Sequence, residues 1–344
     1  MKKICLIPET RGVGGMVSFR AKFSRGLIER GYTVCADPAE SGVAAVLVIG
    51  GTRQLGALYQ AKKKRIPIVQ RLDGMNWVHR VRKTGIRHYL RAESGNLLLS
   101  LIRSRFADRI VYQSRFSKAW WERVYRPAAV SDVVIYNGVD LDAYSPEGRN
   151  NRPEDRFRIL LVEGSLLGGY DTGLLAALDL ANGLLERDLI KAGKKPELMV
   201  VGRVGKQIVK NAEKMSRVPI VWKGLVPRES IPEIDRSAHL LFSGDVNAAC
   251  PNAVIEALAC GLPVVAYDTG ALPELVADDA GKIVAYGGDP WKLEAPDSTR
   301  LAEAAAEVLE AQERYRKGAR RSAVARFSLT NMVDAYLRAL TVQS

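Results

Sequence analysis

The sequence predicts an α/β protein built from two doubly wound, Rossmann-like domains. Three observations carry that prediction. The chain has 344 residues, too many for one ordinary core and enough for two domains of about 150 residues each. Short continuous apolar runs alternate with amphipathic stretches of helical length, the pattern of parallel strands covered on both faces. The alternation breaks once, at a polar and breaker-rich stretch, and then restarts.

In the first series, Ile4–Ile7, Ala44–Ile49, Ile66–Val69, Arg109–Tyr112 and Val133–Ile135 read as strands. Helical segments fall between them at Val17–Arg30, Gln54–Lys64, within 75–106, and at Phe116–Tyr125. Asn137-Gly138 closes the series as a turn, and the polar run 145–156 (SPEGRNNRPEDR) marks the domain boundary. The second series has strands at Arg158–Val162, Leu198–Val201, Ile220–Trp222, Leu240–Phe242 and Pro263–Ala266. Its helices read as Gly173–Leu189, Val204–Lys214, Glu229–Arg236 and Asn252–Cys260, and Ser298–Leu340 is mostly helical with a break near Phe327–Ser328. The expected domains are 1–145 and 146–327, with 328–344 a last helix. Two such sheets are expected to face a cleft, where these folds bind ligands.

Hydrophobic residues make up 47% of the chain and charged residues 26%, which excludes disorder, collagen and coiled coil. No apolar run approaches the roughly 18 residues that span a bilayer. The apolar stretch after Lys2-Lys3 is too short for a secretory signal. Cys5, Cys35, Cys250 and Cys260 form no CxxC pair and no metal-ligand spacing, so they read as buried thiols in a reducing cytoplasm. Charge is distributed unevenly. Residues 1–150 hold 26 Lys+Arg against 12 Asp+Glu, and residues 51–126 alone hold 18 against 4. Such a surplus points to an anionic partner for the first half, a lipid headgroup surface, nucleic acid or an acidic substrate; the plainer alternative is a solvated face.

The most informative stretch is Pro251 to Glu274, PNAVIEALACGLPVVAYDTGALPE. Pro251 suits a helix start, and Gly261 with Pro263 ends the helix. The backbone N–H groups of Asn252, Ala253 and Val254 then form an anion site at the helix N-terminus. One turn in, Glu256 can accept hydrogen bonds from a vicinal diol such as a ribose. Asp268-Thr269-Gly270 is a tight turn that lets a ligand approach the backbone. Together these suggest a nucleotide; an ordinary buried helix with a surface Glu remains the alternative.

This stretch resembles the C-terminal signature of retaining glycosyltransferases of family four, which have the GT-B fold. Further resemblances run along the chain. Gly14-Gly15 before a helix is similar to the glycine-rich loop after the first strand, and Asn137-Gly138-Val139-Asp140 to the NGVD turn at the domain junction. Val221-Trp222-Lys223-Gly224 with Val226-Pro227 is similar to the segment near the donor base, and Arg326-Phe327-Ser328 to the segment that crosses back to the N-terminal domain. The resemblance implies a UDP- or GDP-linked sugar held by the C-terminal domain, a glycan or lipid-linked acceptor held by the N-terminal one, and no metal or resident cofactor. Glu256 aligns with the second acid of the family's paired glutamates, which binds the donor ribose; Thr269 and Gly270 would face the diphosphate. Gly14, Gly15 and Gly164 join the donor-binding set by the same comparison.

Three departures stand out. The first acid of the pair should lie eight residues before Glu256, where this chain has Ala248. The family's phosphate-binding Arg and Lys correspond to Ser165 and Tyr170. Arg203 and Lys206, in the following glycine loop, are the expected replacements, with Arg11 or Arg71 as other sources of positive charge. Where the family often has a His facing the donor sugar, this chain has Asp73, which either contacts sugar or acceptor or caps the next helix. His79, His88 and His239 share no spacing, and Trp77, Trp120 and Trp121 could stack on a sugar or fill the core. Asp140 and Asp142 have DxD spacing but sit in the NGVD turn.

The reading is a cytoplasmic, retaining glycosyltransferase acting on a cell-envelope, polysaccharide or lipid-linked precursor, with Asp73, Arg203 and Lys206 as catalytic candidates. A peripheral position on the inner, anionic face of a membrane fits the basic first half. A non-enzymatic nucleotide- or glycan-binding scaffold is the alternative, favoured by Ala248, Ser165 and Tyr170. Nucleic acid is not an expected partner, because the basic half carries no module for it.

Overall fold

A computed structural model describes residues 2–10, 12, 14–166, 172–186 and 193–341. The chain divides into two compact units, Met1–Gly138 with Leu329–Ser344, and Val139–Ser328.

The first unit runs β1 (Lys3–Ile7), α1 (Gly15–Glu29), β2 (Thr33–Cys35), β3 (Val43–Ile49), α2 (Leu55–Lys63) and β4 (Ile68–Leu72). It continues with α3 (Val78–Val81), α4 (Ile86–Arg105), β5 (Arg109–Tyr112), α5 (Arg115–Tyr125) and β6 (Ser131–Val134). Its sheet is parallel, in the order β2-β1-β3-β4-β5-β6. Alternate residues of β3 show why both faces are covered. Leu47 packs with Phe19, Phe23 and Leu27 of α1, whereas Val46 and Val48 pack with Leu58 and Ala61 of α2 and Ile102 of α4.

The second unit runs β7 (Arg156–Ser165), α6 (Thr172–Glu186), β8 (Lys195–Arg203), α7 (Lys206–Met215), β9 (Ile220–Gly224) and α8 (Ile231–Ser237). It continues with β10 (Leu240–Ser243), α9 (Asn252–Ala259), β11 (Val264–Tyr267), α10 (Leu272–Leu275), β12 (Gly281–Val284), α11 (Ser298–Glu310) and α12 (Gln312–Arg326). This sheet is also parallel, ordered β12-β11-β10-β7-β8-β9. Ile159, Leu161, Leu198 and Val200 form one face with Leu174, Leu178 and Ala181 of α6 and Leu301 and Ala305 of α11. The last helix, α13 (Leu329–Thr341), belongs to the first unit. Tyr336 packs on Phe19 and Phe23 at 5.0 and 5.3 Å between rings, and Arg30 donates to Asp334 at 2.7 Å.

Several details differ from the expectation. The division falls after Gly138 rather than at 145/146, because Val139 bridges Ser328 and its N–H donates to the Phe327 carbonyl. Arg320 then ties the 141–144 segment into the second unit by donating to the Leu141 and Tyr144 carbonyls. The return break lies after Ser328, one residue past the expected 327/328. The short strands β2 and β12 were not anticipated; both lie at sheet edges. The helical stretch within 75–106 is broken at Gly85, whose φ of 87° opens α4. The expected helix at Gly173–Leu189 is described through Glu186.

Candidate active site

In the second unit, the candidate residues gather at the carboxyl ends of β7, β8, β10 and β11 and at the start of α9. The chain enters α9 from Pro251 with no side-chain cap bond. The first-turn N–H groups of Asn252, Ala253 and Val254 therefore lie beyond the reach of intrahelical acceptors. Asn252 and Ala253 are partly exposed and Val254 is buried.

Glu256 is 8% exposed, and Arg228 donates to its Oε1 at 3.4 Å. Arg228 comes from the turn between β9 and α8. Tyr144 and Asp235 act on the same group. Burial, followed by the Glu256 charge, pushes the Tyr144 hydroxyl upward, opposed by the nearby Arg228 charge. Asp235 is 1% exposed, and burial and then Glu256 hold its carboxyl well above the usual carboxylate range. The Arg228 contact holds the Glu256 carboxylate at the site, where it can accept hydrogen bonds from a ligand.

Gly270 has φ 60°, and a Cβ there would lie 2.5 Å from the backbone N and O of Ala248. Ala271 N–H donates to the Ala248 carbonyl at 2.8 Å. The 268–270 turn is thereby fastened to the loop after β10. Thr269 is buried, and its hydroxyl donates to the Asp245 carbonyl at 3.5 Å. Its side chain thus joins two loops instead of facing solvent as a phosphate ligand would. Asn247 is also buried, with φ 57°.

On the other side of the site, Ser165 pairs in register with Arg203, and Leu166 N–H donates to the Arg203 carbonyl at 2.9 Å. Arg203 stands beside the position whose cation is missing. Arg203 and Lys206 are exposed, and neither has a polar partner among the described residues. Gly202 has φ 141°, and a Cβ there would meet the Glu163 carbonyl oxygen at 1.9 Å, so the β7 and β8 ends can approach only with glycine. Gly164 and Ser165 are exposed; Tyr170, Gly168, Gly169 and Arg11 lie outside the described residues. Next to them stands a group of the opposite sign. Removal from water and then the like charge of Asp245, itself exposed, push the Glu163 carboxyl well above its ordinary range.

In the first unit, Gly14 and Gly15 follow β1 and open α1, with Gly14 at φ 140° as N-cap. Asp73 follows β4, two strands away in the same sheet. Its backbone carbonyl accepts from Trp121 Nε1 at 2.7 Å and Ser117 Oγ at 3.0 Å. The next helix, α3, has Trp77 at its N-cap, so Asp73 does not cap it. Removal from water raises the Asp73 carboxyl, and Arg71 opposes that rise. Arg71 is itself 1% exposed, donates to Asn137 Oδ1 at 2.8 Å and lies over the Phe19 ring at 4.0 Å. It is a structural cation. Trp120 and Trp121 are core residues; His239 is buried, accepts from the Arg158 N–H and is held down at about 3 by burial. Asp140 Oδ1 accepts from Asp142 and Ala143 N–H and closes its own turn. Among the described residues no group of three or more His, Cys, Asp or Glu is placed to hold a metal.

A cavity of about 250 Å³ in the second unit is lined by Arg158, Met199, Lys223, Val226, Ser230 and Ile234 among others. Lys223 and Val226 belong to the segment that the sequence associates with a donor base. Glu163, Arg228, Tyr144 and Asp235 were missed in the sequence. Glu163 left one trace there, an acid at the end of an otherwise apolar strand.

Residues 174–311 match the family described as Glycosyl transferases group 1. The group 1 segment runs from α6 into α11 and holds Arg203, Lys206, Arg228, Glu256, Thr269 and Gly270; Glu163, Ser165 and the whole first unit lie outside it. The chain is 27% identical over 198 residues to a D-inositol 3-phosphate glycosyltransferase of Streptomyces avermitilis, 54% of this chain and 42% of that protein. It is 26% identical over 182 residues to a GDP-mannose-dependent alpha-(1-6)-phosphatidylinositol dimannoside mannosyltransferase of Mycobacterium tuberculosis, 51% of this chain and 44% of that one. Each match spans less than half the length of the relative. The sucrose-phosphate synthase of Thermosynechococcus elongatus superposes with a TM-score of 0.74 at 15% identity, covering 98% of each chain. The fold is that of two parallel-sheet, Rossmann-like domains whose structural neighbours are GT-B glycosyltransferases.

Proposed function

We propose that the chain is a retaining glycosyltransferase that moves a sugar from a nucleotide-sugar donor to a phosphate-bearing glycan or lipid-linked acceptor. The observation that carries this reading is Glu256, buried and ion-paired to Arg228, one turn inside a helix whose first N–H groups have no side-chain cap. A diol acceptor and an anion site on one helix, within the group 1 segment, suit a nucleotide.

In this reading Glu256 accepts from the ribose hydroxyls, and the first turn of α9 and the Gly270 backbone meet the diphosphate. Arg203 and Lys206 stabilise the charge that grows on the diphosphate as it leaves. The acceptor oxygen attacks the anomeric carbon from the face the diphosphate leaves. The bond between that carbon and the diphosphate oxygen breaks, and the acceptor proton passes to the departing phosphate. Nucleotide sugar is the substrate, and no resident cofactor takes part. The basic first half and the phosphoinositol names of two relatives support an anionic acceptor. Cys5, Cys35, Cys250 and Cys260 are buried thiols, which fits a reducing cytoplasm.

A scaffold that binds nucleotide without turnover is the second reading, favoured by Ala248, Ser165 and Tyr170 standing where the family has an acid and two phosphate-binding cations. A panel of UDP- and GDP-sugars with phosphoinositol and polysaccharide acceptors separates the two. The transfer reading expects nucleoside diphosphate release with one donor and a product of unchanged anomeric configuration by NMR. Nucleotide binding by calorimetry with no release from any donor establishes the scaffold.

A further inference from the structure

We propose that the amino-terminal edge of the second sheet holds a phosphate-binding site built from Arg152, Arg316 and His239, with Lys194 at its margin. This inference goes beyond the transfer reaction and does not depend on it.

Three adjacent strands bring most of these groups together. In the order β10-β7-β8, His239 directly precedes β10, Arg152 lies four residues before β7 and Lys194 directly precedes β8. Arg316 comes from α12. The candidate active site lies at the other end of the same strands. β7 alone has ten residues, about 30 Å of extended chain.

The fold holds three of the four groups in place. His239 Nδ1 accepts from the Arg158 N–H at 3.0 Å, which leaves the ring proton on Nε2 as a donor. Its backbone N–H donates to the Arg158 carbonyl at 2.9 Å, and its ring meets Phe157 edge-on at 5.2 Å. Lys194 Nζ lies over the same Phe157 ring at 5.3 Å. Arg152 donates through Nε and Nη2 to the Arg236 carbonyl at 3.1 and 2.9 Å, which leaves Nη1 for a ligand.

Arg316 is different. Arg103, Arg236 and Arg320 also reach inward, and each donates to two or three acceptors. Arg316 has no hydrogen-bond or ion-pair partner among the described residues, although its Nη1 is shut off from solvent. A guanidinium so placed is costly unless an anion answers it. A like charge adds to the cost: burial and then Arg152 hold Arg316 down at about 10. His239 faces the same set, since Arg152, Lys194, Arg316 and Arg158 follow burial in keeping its ring neutral. The acids of this edge are engaged elsewhere. Glu197 accepts from Arg156 at 3.1 Å and Arg158 at 2.7 Å, and Asp155 pairs with Arg156 at 2.6 Å.

The enclosure limits what can enter. With His239 only 6% exposed and Arg316 Nη1 covered, a phosphoryl group fits the scale of the site, whereas a nucleic-acid strand or a bilayer does not. Two guanidinium groups and an imidazole N–H offer donors from separate directions, which suits a doubly charged tetrahedral anion better than a planar carboxylate. The phosphoryl group arrives either as inorganic phosphate or as the end of a small phosphomonoester.

The test follows the histidine Cε1–H signals of the full chain by NMR. Inorganic phosphate, glycerol 3-phosphate or acetate is added at constant ionic strength. The chain has three histidines, so His239→Gln identifies the signal of interest. That signal should shift saturably with phosphate or glycerol 3-phosphate, the tighter of the two naming the source, and stay still with acetate. Arg316→Met removes a guanidinium that bonds to no other described part of the fold, and should weaken the affinity at least about tenfold. Arg152→Gln, which can still donate to the Arg236 carbonyl, should weaken it similarly. Arg203→Ala, at the carboxyl end of β8, should leave the shift intact, which separates this site from the donor site. Absence of a saturable shift overturns the proposal, as does an equal response to acetate. Full affinity in both Arg316→Met and Arg152→Gln also overturns it, and so does a shift that Arg203→Ala abolishes.

Discussion

On the α9 side of the second unit, Glu256 is buried, paired with Arg228 at 3.4 Å and flanked by Tyr144 and Asp235. On the β7–β8 side, Ser165 is exposed, Arg203 projects without a polar partner among the described residues, and Glu163 lies near the like charge of Asp245. The first half is ordered before any ligand arrives, so little conformational entropy is lost on binding there. The second half places exposed cations near carboxylates, a poor ground-state receptor for a diphosphate. Under the proposed function, nucleoside recognition and stabilisation of a leaving phosphate fall to different residues, and substitutions on the two sides should fail in different ways.

The largest effect is expected at Glu256. Replacing it with Ala removes charge-assisted hydrogen bonds to the ribose and leaves Arg228 without its partner. Nucleotide affinity should fall by about 1.5–3 kcal/mol, measured by calorimetry with UDP and GDP. The same loss should appear with the plain nucleoside, because the residue serves the sugar ring and not the phosphates. An Ala variant that stays folded and binds both nucleotides normally would remove the preset half of the contrast.

These two halves were not equally legible in the sequence. Glu256, Asn252 and Gly270 sit in one local motif, where helix start, helix stop and tight turn are each written in adjacent residues. The brace around Glu256 comes from segments far apart in the chain: Tyr144 before β7, Arg228 after β9 and Asp235 in α8. No local pattern links them. Thr269 was assigned toward a phosphate from its place in the motif, yet the tertiary contact with Asp245 turns its hydroxyl inward. Arg71 reads from sequence as an available cation, but its buried hydrogen bond to Asn137 makes it part of the core. The strands themselves were legible as continuous apolar runs such as Val46–Ile49, whereas β2, with only Thr33–Cys35 at a sheet edge, has too little apolar length to signal itself. The division at Gly138 was also hidden, since it depends on Arg320 reaching back across the sequence to Leu141 and Tyr144.

A smaller effect, of a different kind, is expected on the β8 side. Arg203→Ala should lower turnover about tenfold, near 1.4 kcal/mol of barrier, while donor binding changes little, because the cation meets charge that builds as the diphosphate departs. Lys206→Ala added to it should deepen the loss in turnover and still spare affinity. The measurement is steady-state turnover alongside donor affinity by calorimetry. If both variants lose affinity and turnover in proportion, the cations bind the ground state and the separation of roles disappears.

The smallest effect lies in pH dependence, and Glu163 is where to look for it. Its carboxyl is raised well above the ordinary value of 4.5 by removal from water and by Asp245. Below the ordinary range both folded and unfolded chains hold the proton, and the full stabilising contribution is present. As pH rises through the window between the ordinary and the raised value, the unfolded chain gives up its proton first, so the folded state loses stability with increasing pH. Glu163→Gln keeps the shape and removes the ionisation. It should leave mildly acidic stability nearly unchanged and make the chain more stable than the original at mildly alkaline pH, measured as urea midpoints at the two conditions. Diphosphate affinity should follow the same course: in the original chain it weakens as the Glu163 and Asp245 pair ionises, and in the Gln variant it weakens less. Parallel curves for the two proteins would mean that Glu163 ionises like any surface acid. The β7 end would then be an ordinary solvated loop, and the opposition between a preset half and an acid-lined half would reduce to the α9 side alone.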